Sequence, residues 1–120
     1  MPPIPRRESE GVPKKKSLVR ILFIALAKPP VERLIEDDLL PLSQLLNDAF
    51  MDRLGLANGL ALLVDRDALQ KQLPINFEYG KSAVLGPAVL VRYNRKGDLI
   101  DLSESDIADF IASARQLRAG

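Results

Sequence analysis

The sequence predicts an α+β domain in which a mixed sheet of about five strands packs against two helices. Short apolar runs rich in Val, Ile and Leu, bounded by turn residues, are typical of strands. Two other segments carry apolar residues at helical spacing. The composition, with 47% hydrophobic and 28% charged residues among 120, is that of a globular domain.

The first 17 residues differ from the rest of the chain. They hold four prolines and five basic residues against two acidic ones, and the basic residues are Arg6, Arg7, Lys14, Lys15 and Lys16. Such a segment cannot bury enough apolar surface to fold, so we predict a disordered tail over residues 1–17. A single α+β domain is predicted over residues 18–120, and its slight acidic excess is not that of a cationic surface built for nucleic acid.

The domain is expected to begin with a hairpin. The run from Leu18 to Leu26 is apolar on both alternating faces, which is typical of a strand buried on two sides. The residues Lys28-Pro29-Pro30 form a turn, and a second strand follows over residues 31–36.

A helix is predicted next, because Pro41 suits the first turn of a helix. Its apolar positions recur at helical spacing and are Leu42, Leu45, Leu46, Ala49 and Phe50. Residues 51–56 then read as a short strand or as an extended exit from the helix. Asn58-Gly59 is a strong hairpin signal, because both residues tolerate positive φ, and it leads to a buried strand over residues 60–64.

The next part of the chain is expected to be less regular. Residues 65–72 suggest a short helix and residues 73–82 a loop. Residues 83–93 read as a strand interrupted at Gly86-Pro87. Because proline cannot donate to a ladder, the interruption predicts a bulge or an exposed edge that could pair with another chain.

The last helix has the clearest start. Ser103 and Asp106 have the spacing of a capping box, in which each side chain accepts from the other's backbone. Its expected buried stripe is Ile107, Phe110, Ile111, Ala114 and Leu117, with Arg115 and Arg118 in its last turn. The order of the first seven elements is similar to that of a β-grasp fold, in which one helix crosses a mixed sheet.

Five short stretches resemble a known family. They are Arg20–Ile24 with Lys28–Val31, Leu42–Leu46, Leu73–Asn76, Gly86–Val91 and Asp101–Ile107. On these stretches, which span most of residues 19–111, the chain resembles a family of uncharacterised proteins of phages and other mobile elements that is classed as a domain of unknown function. The resemblance implies a small accessory protein and brings no known catalytic residues.

The chain contains no Cys and no His, which removes thiolate catalysis, disulfides, the serine triad and the commonest metal ligands. We therefore expect a protein that is not an enzyme and that uses neither a cofactor nor a metal. Paired carboxylates in a cleft would still permit acid–base chemistry. The acidic groups are Glu36-Asp37-Asp38, Asp65 with Asp67, and Asp98 with Asp101, and we interpret them as turn and cap residues.

The leading hypothesis is that the protein binds a host protein and thereby inhibits host defence. Six polar or aromatic residues near the interrupted strand are the candidate contacts for a partner or a ligand: Asn76, Tyr79, Lys81, Arg92, Tyr93 and Asn94. The alternative for Tyr79 and Tyr93 is that they only cover the edge of the core. Gly80-Lys81-Ser82 lacks the earlier glycine of a phosphate loop, since that position holds Ile75.

Two other functions stay open. One is sequestration of a small anionic, nucleotide-like ligand in a pocket formed by residues 73–82. The other is weak nucleic-acid binding through the basic residues of the tail, with a salt slope of about −3 to −4.5. No signal peptide and no membrane-spanning run is recognised, so a cytoplasmic location is expected. The sequence does not specify an oligomeric state.

Overall fold

The structure, a computed structural model, describes residues 18–115, apart from the side chain of Leu39. Two α-helices and nine strands are assigned within this range. In chain order they are β1 (Leu18–Ile24), β2 (Val31–Glu36), α1 (Leu39–Leu45), β3 (Met51–Gly55), β4 (Leu60–Asp65), β5 (Ile75–Tyr79), β6 (Ser82–Leu85), β7 (Ala88–Tyr93), β8 (Leu99–Ile100), α2 (Glu104–Ser113) and β9 (Ala114–Arg115).

The strands form two sheets. The main sheet has the order β2-β1-β7-β4-β3, with β8 paired to the end of β7, and the small sheet has the order β6-β5-β9. Every strand pair assigned within residues 18–115 is antiparallel. This architecture is compatible with the predicted α+β class. The prediction of one mixed sheet of about five strands is wrong, and the β-grasp-like detail is not confirmed.

The central strands of the main sheet are buried on both faces because a different layer covers each face. α1 covers one face, here called the α1 face, and its core consists of Ile21, Leu42, Leu46, Ala49, Ala61, Leu63, Val89 and Val91. α2 and the small sheet cover the other, here called the α2 face, where Phe77 and Phe110 pack on Leu22, Leu62 and Leu90. The two-sided burial predicted for the first strand and for residues 60–64 follows from this layering.

The helix predicted to extend to Phe50 ends earlier. α1 stops at Leu45, and Asn47 and Asp48 have φ of 61° and 60°. These residue types tolerate the left-handed conformation that commonly ends a helix. Leu42, Leu46 and Ala49 are buried as expected, whereas Phe50 lies outside the helix and is exposed.

The Asn58-Gly59 prediction is confirmed, since both residues have positive φ in the tight connection between β3 and β4. Asp65 ends β4, residues 66–72 form successive turns rather than a helix, and the loop predicted over residues 73–82 is wrong. It contains β5, whose Phe77 is fully buried, followed by a turn at Gly80-Lys81. The loop prediction failed because only five residues separate the punctuating Pro74 and Gly80.

Gly86-Pro87 does not form an exposed edge. The two residues connect β6 in the small sheet with β7 in the centre of the main sheet, and Pro87 is buried. The Gly86 N–H donates to the Pro74 carbonyl oxygen at 2.9 Å. The predicted interruption is therefore a corner between two sheets.

The capping box at the start of α2 is confirmed. The Asp106 N–H donates to Ser103 Oγ at 3.0 Å, and the Ser103 N–H donates to Asp106 Oδ2 at 2.9 Å. The helix ends at Ser113, so Arg115 lies in β9 rather than in a last helical turn. Ile111, expected in the buried stripe, is exposed, and the predictions for Leu117 and Arg118 lie outside the described residues.

Candidate functional site

An ion pair between β7 and α2 lies at the centre of the candidate site. Arg92 Nη1 donates to Asp106 Oδ1 at 2.8 Å, and both side chains are mostly buried. Burial by itself would raise the pKa of Asp106. Hydrogen bonding to Ser103 and the charge and hydrogen bond of Arg92 outweigh burial, so the pKa of Asp106 lies below its ordinary value of 3.8. Asp106 is therefore ionised at neutral pH and holds Arg92 in place.

This ion pair lies in a groove of about 780 Å³, here called the polar groove. The β3–β4 connection, the end of β7 and the first turns of α2 form its walls. The residues that line it are Asn58, Gly59, Arg92, Tyr93, Asn94, Arg95, Ile100, Ser105, Asp106 and Asp109. The groove thus combines two guanidinium groups, two carboxylates and several neutral hydrogen-bonding groups, which suits a small polar ligand.

Three of the six predicted contact residues, Arg92, Tyr93 and Asn94, line the polar groove. The ring of Tyr93 packs against the core of the α1 face and lies 4.6 Å from the Arg53 guanidinium. Asn94 Oδ1 accepts from the N–H groups of Lys96 and Asp98, at 2.9 and 3.0 Å, and so orders the turn into β8. Of the three, Arg92 brings a charge into the groove.

The other three predicted contact residues lie on the small sheet, away from the polar groove. Asn76 Nδ2 donates to the carbonyl oxygens of Ile24 and Gly86, at 2.9 and 3.0 Å, and thereby ties the two sheets together. Tyr79 stacks on Phe110 with a centroid distance of 5.3 Å. Lys81 is exposed in the β5–β6 turn. The six residues therefore do not line one groove. Within residues 73–82, Tyr79 and Ser82 line a separate cavity of about 310 Å³ beside β3.

A second groove was not anticipated from the sequence. It has a volume of about 420 Å³, is here called the apolar groove, and is lined by Leu40, Ser43, Ala49, Phe50 and Met51. Leu40 and Phe50 are 62% and 69% exposed, so two large apolar side chains face solvent beside one depression. The signal that could have revealed it was Asn47-Asp48, because a helix that ends there cannot bury Phe50.

The side chain of Phe50 is positioned by its neighbours. The Arg66 guanidinium carbon lies 4.7 Å from the centroid of the Phe50 ring, and the Arg66 N–H donates to the Phe50 carbonyl oxygen at 2.8 Å. The Ser43 hydroxyl donates to the Ala49 carbonyl oxygen at 2.9 Å, which fixes the segment before Phe50 against α1. Arg66 thus covers one side of the exposed ring, and the two hydrogen bonds fix the backbone that carries it.

Two of the acidic groups have structural partners. Asp65 is buried, and its carboxylate accepts hydrogen bonds from Lys71 Nζ and from the Asp67 N–H, both at 2.8 Å. Asp101 Oδ1 accepts from the Arg20 N–H at 2.7 Å, where β1 lies beside β8. Over residues 18–115 no group of three or more acidic side chains has the arrangement of a metal site.

The basic residues proposed for nucleic acid, Arg6, Arg7 and Lys14–Lys16, lie outside the described residues. Neither helix of the described part is long and apolar enough to cross a membrane. Comparisons with protein-family models, with curated proteins and with solved structures give no match to this chain.

Proposed function

We propose that this chain is a non-enzymatic accessory protein of a phage or mobile element that binds a host protein through the apolar groove. The observation that carries the proposal is the exposure of Phe50 and Leu40 beside one apolar depression. Large apolar side chains that face solvent together usually mark an interaction surface. The resemblance in residues 19–111 supports the mobile-element context.

The chemistry of the apolar groove suits a protein partner better than a small polar ligand. Phenylalanine, methionine and arginine are enriched at the centres of protein interfaces. Because Arg66 already fixes the ring of Phe50, binding would cost little side-chain entropy. We therefore propose a partner surface that inserts apolar side chains between α1 and β3. Inhibition of host defence in the cytoplasm would be the consequence of that contact.

The proposal is tested by affinity capture with the full chain on host lysate, followed by quantitative mass spectrometry. Phe50→Ser should abolish capture of the partner without lowering the unfolding midpoint, because the side chain is exposed. Leu69→Ser is the matched control, since Leu69 is 78% exposed and does not line the groove. Recovery of the same host proteins by the wild type, by Phe50→Ser and by Leu69→Ser would refute the proposal.

The polar groove supports a second candidate, the binding of a small anionic ligand. Arg92 and Arg95 both line it, beside the Asn58 amide and the Ser105 hydroxyl. A nucleotide panel should then raise the melting temperature of the wild-type chain and of Lys81→Ala, which lies elsewhere, but not that of Arg95→Ala. The absence of any shift across the panel would remove this candidate. The nucleic-acid function of the tail predicts that deleting residues 1–17 abolishes binding.

A further inference from the structure

The two outer strands of the main sheet, β2 and β3, carry complementary sequences. β2 contains Val-Glu-Arg-Leu over residues 31–34, and β3 contains Met-Asp-Arg-Leu over residues 51–54. We propose that β2 of one copy of this chain adds to β3 of a second copy as an antiparallel strand. The register is Leu34 opposite Met51, Arg33 opposite Asp52, Glu32 opposite Arg53 and Val31 opposite Leu54.

This register gives two apolar pairs and two pairs of opposite charge. Pairs of both kinds stabilise neighbouring antiparallel strands. The side chains involved are accessible, since Leu34 is 63% and Val31 50% exposed. Asp52 has no ion pair within residues 18–115, and Glu32 has only a long one, 3.8 Å from Arg20 Nε. The second copy would supply the missing partners.

In β3 the residues whose N–H and C=O groups point away from the sheet are the ones that this register needs. The Arg66 N–H donates to the Phe50 carbonyl oxygen and the Leu56 N–H to the Leu60 carbonyl oxygen, both at 2.8 Å. Residues 50 and 56 therefore direct their backbone groups toward β4. Because backbone direction alternates along a strand, Met51 and Arg53 direct theirs away from the sheet.

In β2 the residues with outward-pointing N–H and C=O groups are also the ones that this register needs. Arg20 directs its backbone toward β8, since its carbonyl oxygen accepts from the Leu102 N–H at 3.1 Å and its N–H donates to Asp101. Because backbone direction alternates along a strand, residues 19, 21 and 23 of β1 direct their N–H and C=O groups toward residues 35, 33 and 31 of β2. Glu32 and Leu34 are left with outward backbone groups. In the proposed register Glu32 and Leu34 lie opposite Arg53 and Met51, whose backbone groups also point away from their own sheet. The N–H and C=O groups of the two edges can therefore hydrogen-bond to each other.

The faces of the two strands are consistent with the same arrangement. Arg53 lies on the α1 face of the main sheet, where it contacts Tyr93. Glu32 lies on the α2 face, because its neighbour Arg33 contacts Phe23 on the α1 face and successive residues of a strand alternate between the faces. The two side chains can meet only if the second copy is turned over. Turning a sheet over about an in-plane axis perpendicular to its strands reverses both its faces and its strand directions, which is what antiparallel pairing of β2 with β3 requires.

The arrangement in which the second copy is not turned over has unfavourable charges. Within one copy β2 and β3 run in the same direction, because four antiparallel steps separate them. A second copy that is not turned over would therefore pair in parallel. When Val31 is opposite Met51 in that arrangement, Glu32 meets Asp52 and Arg33 meets Arg53, and both pairs repel.

The proposed contact joins different surfaces of the two copies. It leaves β2 of one copy and β3 of the other free, so it does not close into a dimer and further copies add in a row. The free edges of a sheet are often protected by scattered charges. Here the charges of one edge complement those of the other, and so direct association instead of blocking it.

Sedimentation velocity of the full chain over a range of concentrations tests the proposal. The mass of the wild-type chain should rise steadily with concentration. Glu32→Arg and Arg53→Glu each create a like-charge pair and should weaken association about tenfold. An equimolar mixture of the two variants should recover association, because Arg at position 32 of one then faces Glu at position 53 of the other.

Lys96→Glu is the matched control, because residue 96 is exposed, lies on neither edge strand and lines neither groove, and it should associate as the wild type does. Each variant should still unfold in one cooperative transition, which excludes misfolding as the cause of lost association. Arg53→Glu also loses the contact of Arg53 with Tyr93, so its unfolding midpoint should fall slightly. A wild-type chain that is monomeric at all concentrations, or that stops at a dimer, would overturn the proposal. So would a mixture that associates no better than the separate variants.

Discussion

Replacing Asp106 by Asn should destabilise the contact between α2 and β7. The carboxylate accepts from Arg92 through Oδ1 and from the Ser103 N–H through Oδ2. An amide of the same shape still presents one acceptor oxygen, so the capping contact is retained when that oxygen faces Ser103. The charge and the acceptor for Arg92 are lost, and the mostly buried guanidinium is left without its partner.

The expected cost follows from these contacts. A hydrogen bond to a charged group contributes roughly 1.5–3 kcal/mol, so Asp106→Asn should lower the free energy of unfolding by about 2 kcal/mol. For a domain of this size that lowers the melting temperature by about 10 °C. Asp109→Asn is the matched control on the same helix. Its side chain is exposed, so the change should stay within about 0.5 kcal/mol.

A double-mutant cycle isolates the ion pair from the cap. Urea unfolding of Asp106→Asn, Arg92→Met and the double variant should give a coupling energy of about 1 kcal/mol at pH 7. Burial raises the pKa of Asp106, but hydrogen bonds from Ser103 and the charge and hydrogen bond of Arg92 lower it below its ordinary 3.8. The ionised carboxylate therefore adds stability above that value, and Arg92 supplies part of it. The added stability is lost as the pH falls through the lower, folded pKa.

The coupling measured at a pH below the folded pKa of Asp106, which lies under 3.8, should therefore be smaller than that at pH 7. A coupling energy near zero at pH 7 would refute the assignment of Arg92 and Asp106 as a stabilising pair. A coupling that is the same at both pH values would refute its electrostatic origin.

Two further changes test the packing around the site. A Cβ at residue 59 would lie 2.7 Å from the Tyr93 carbonyl oxygen, whereas one at residue 97 meets nothing within 4 Å, although both glycines have positive φ. Gly97→Ala should thus cost about 1 kcal/mol from backbone strain, and Gly59→Ala about 1 kcal/mol more; equal unfolding midpoints would contradict the steric contact. Asn76→Ala removes the donor to two carbonyl oxygens and should cost about 2 kcal/mol in thermal unfolding. A loss below about 0.5 kcal/mol would show that Asn76 does not tie the sheets together.

Features set by neighbouring residues could be predicted from the sequence. Ser103 and Asp106 are three residues apart, so their capping geometry needs only one helical turn. Asn58 and Gly59 adopt positive φ because the short polar side chain of Asn tolerates it and Gly has no Cβ to oppose it. The first hairpin also forms as predicted, but its turn lies at residues 26–28, where Ala27 has a φ of 59°, and not at Pro29-Pro30, which follow it.

The candidate site could be predicted only in part. The Arg92–Asp106 pair joins residues 14 apart, and the contact between Asn76 and Ile24 joins residues 52 apart. Neither contact leaves a periodic pattern in the sequence, because each depends on which strands and helices pack together. Phe50 continues the apolar stripe of α1 in sequence, yet its exposure depends on where the helix ends.

The sequence by itself determined the α+β class, the two-sided burial of the central strands and the cap of α2, because periodicity and turn chemistry act over a few residues. Tertiary structure alone decided that β6 and β7 belong to different sheets and that β2 and β3 lie at opposite edges. Strand order depends on which apolar faces bury one another, and that choice is made by the whole chain.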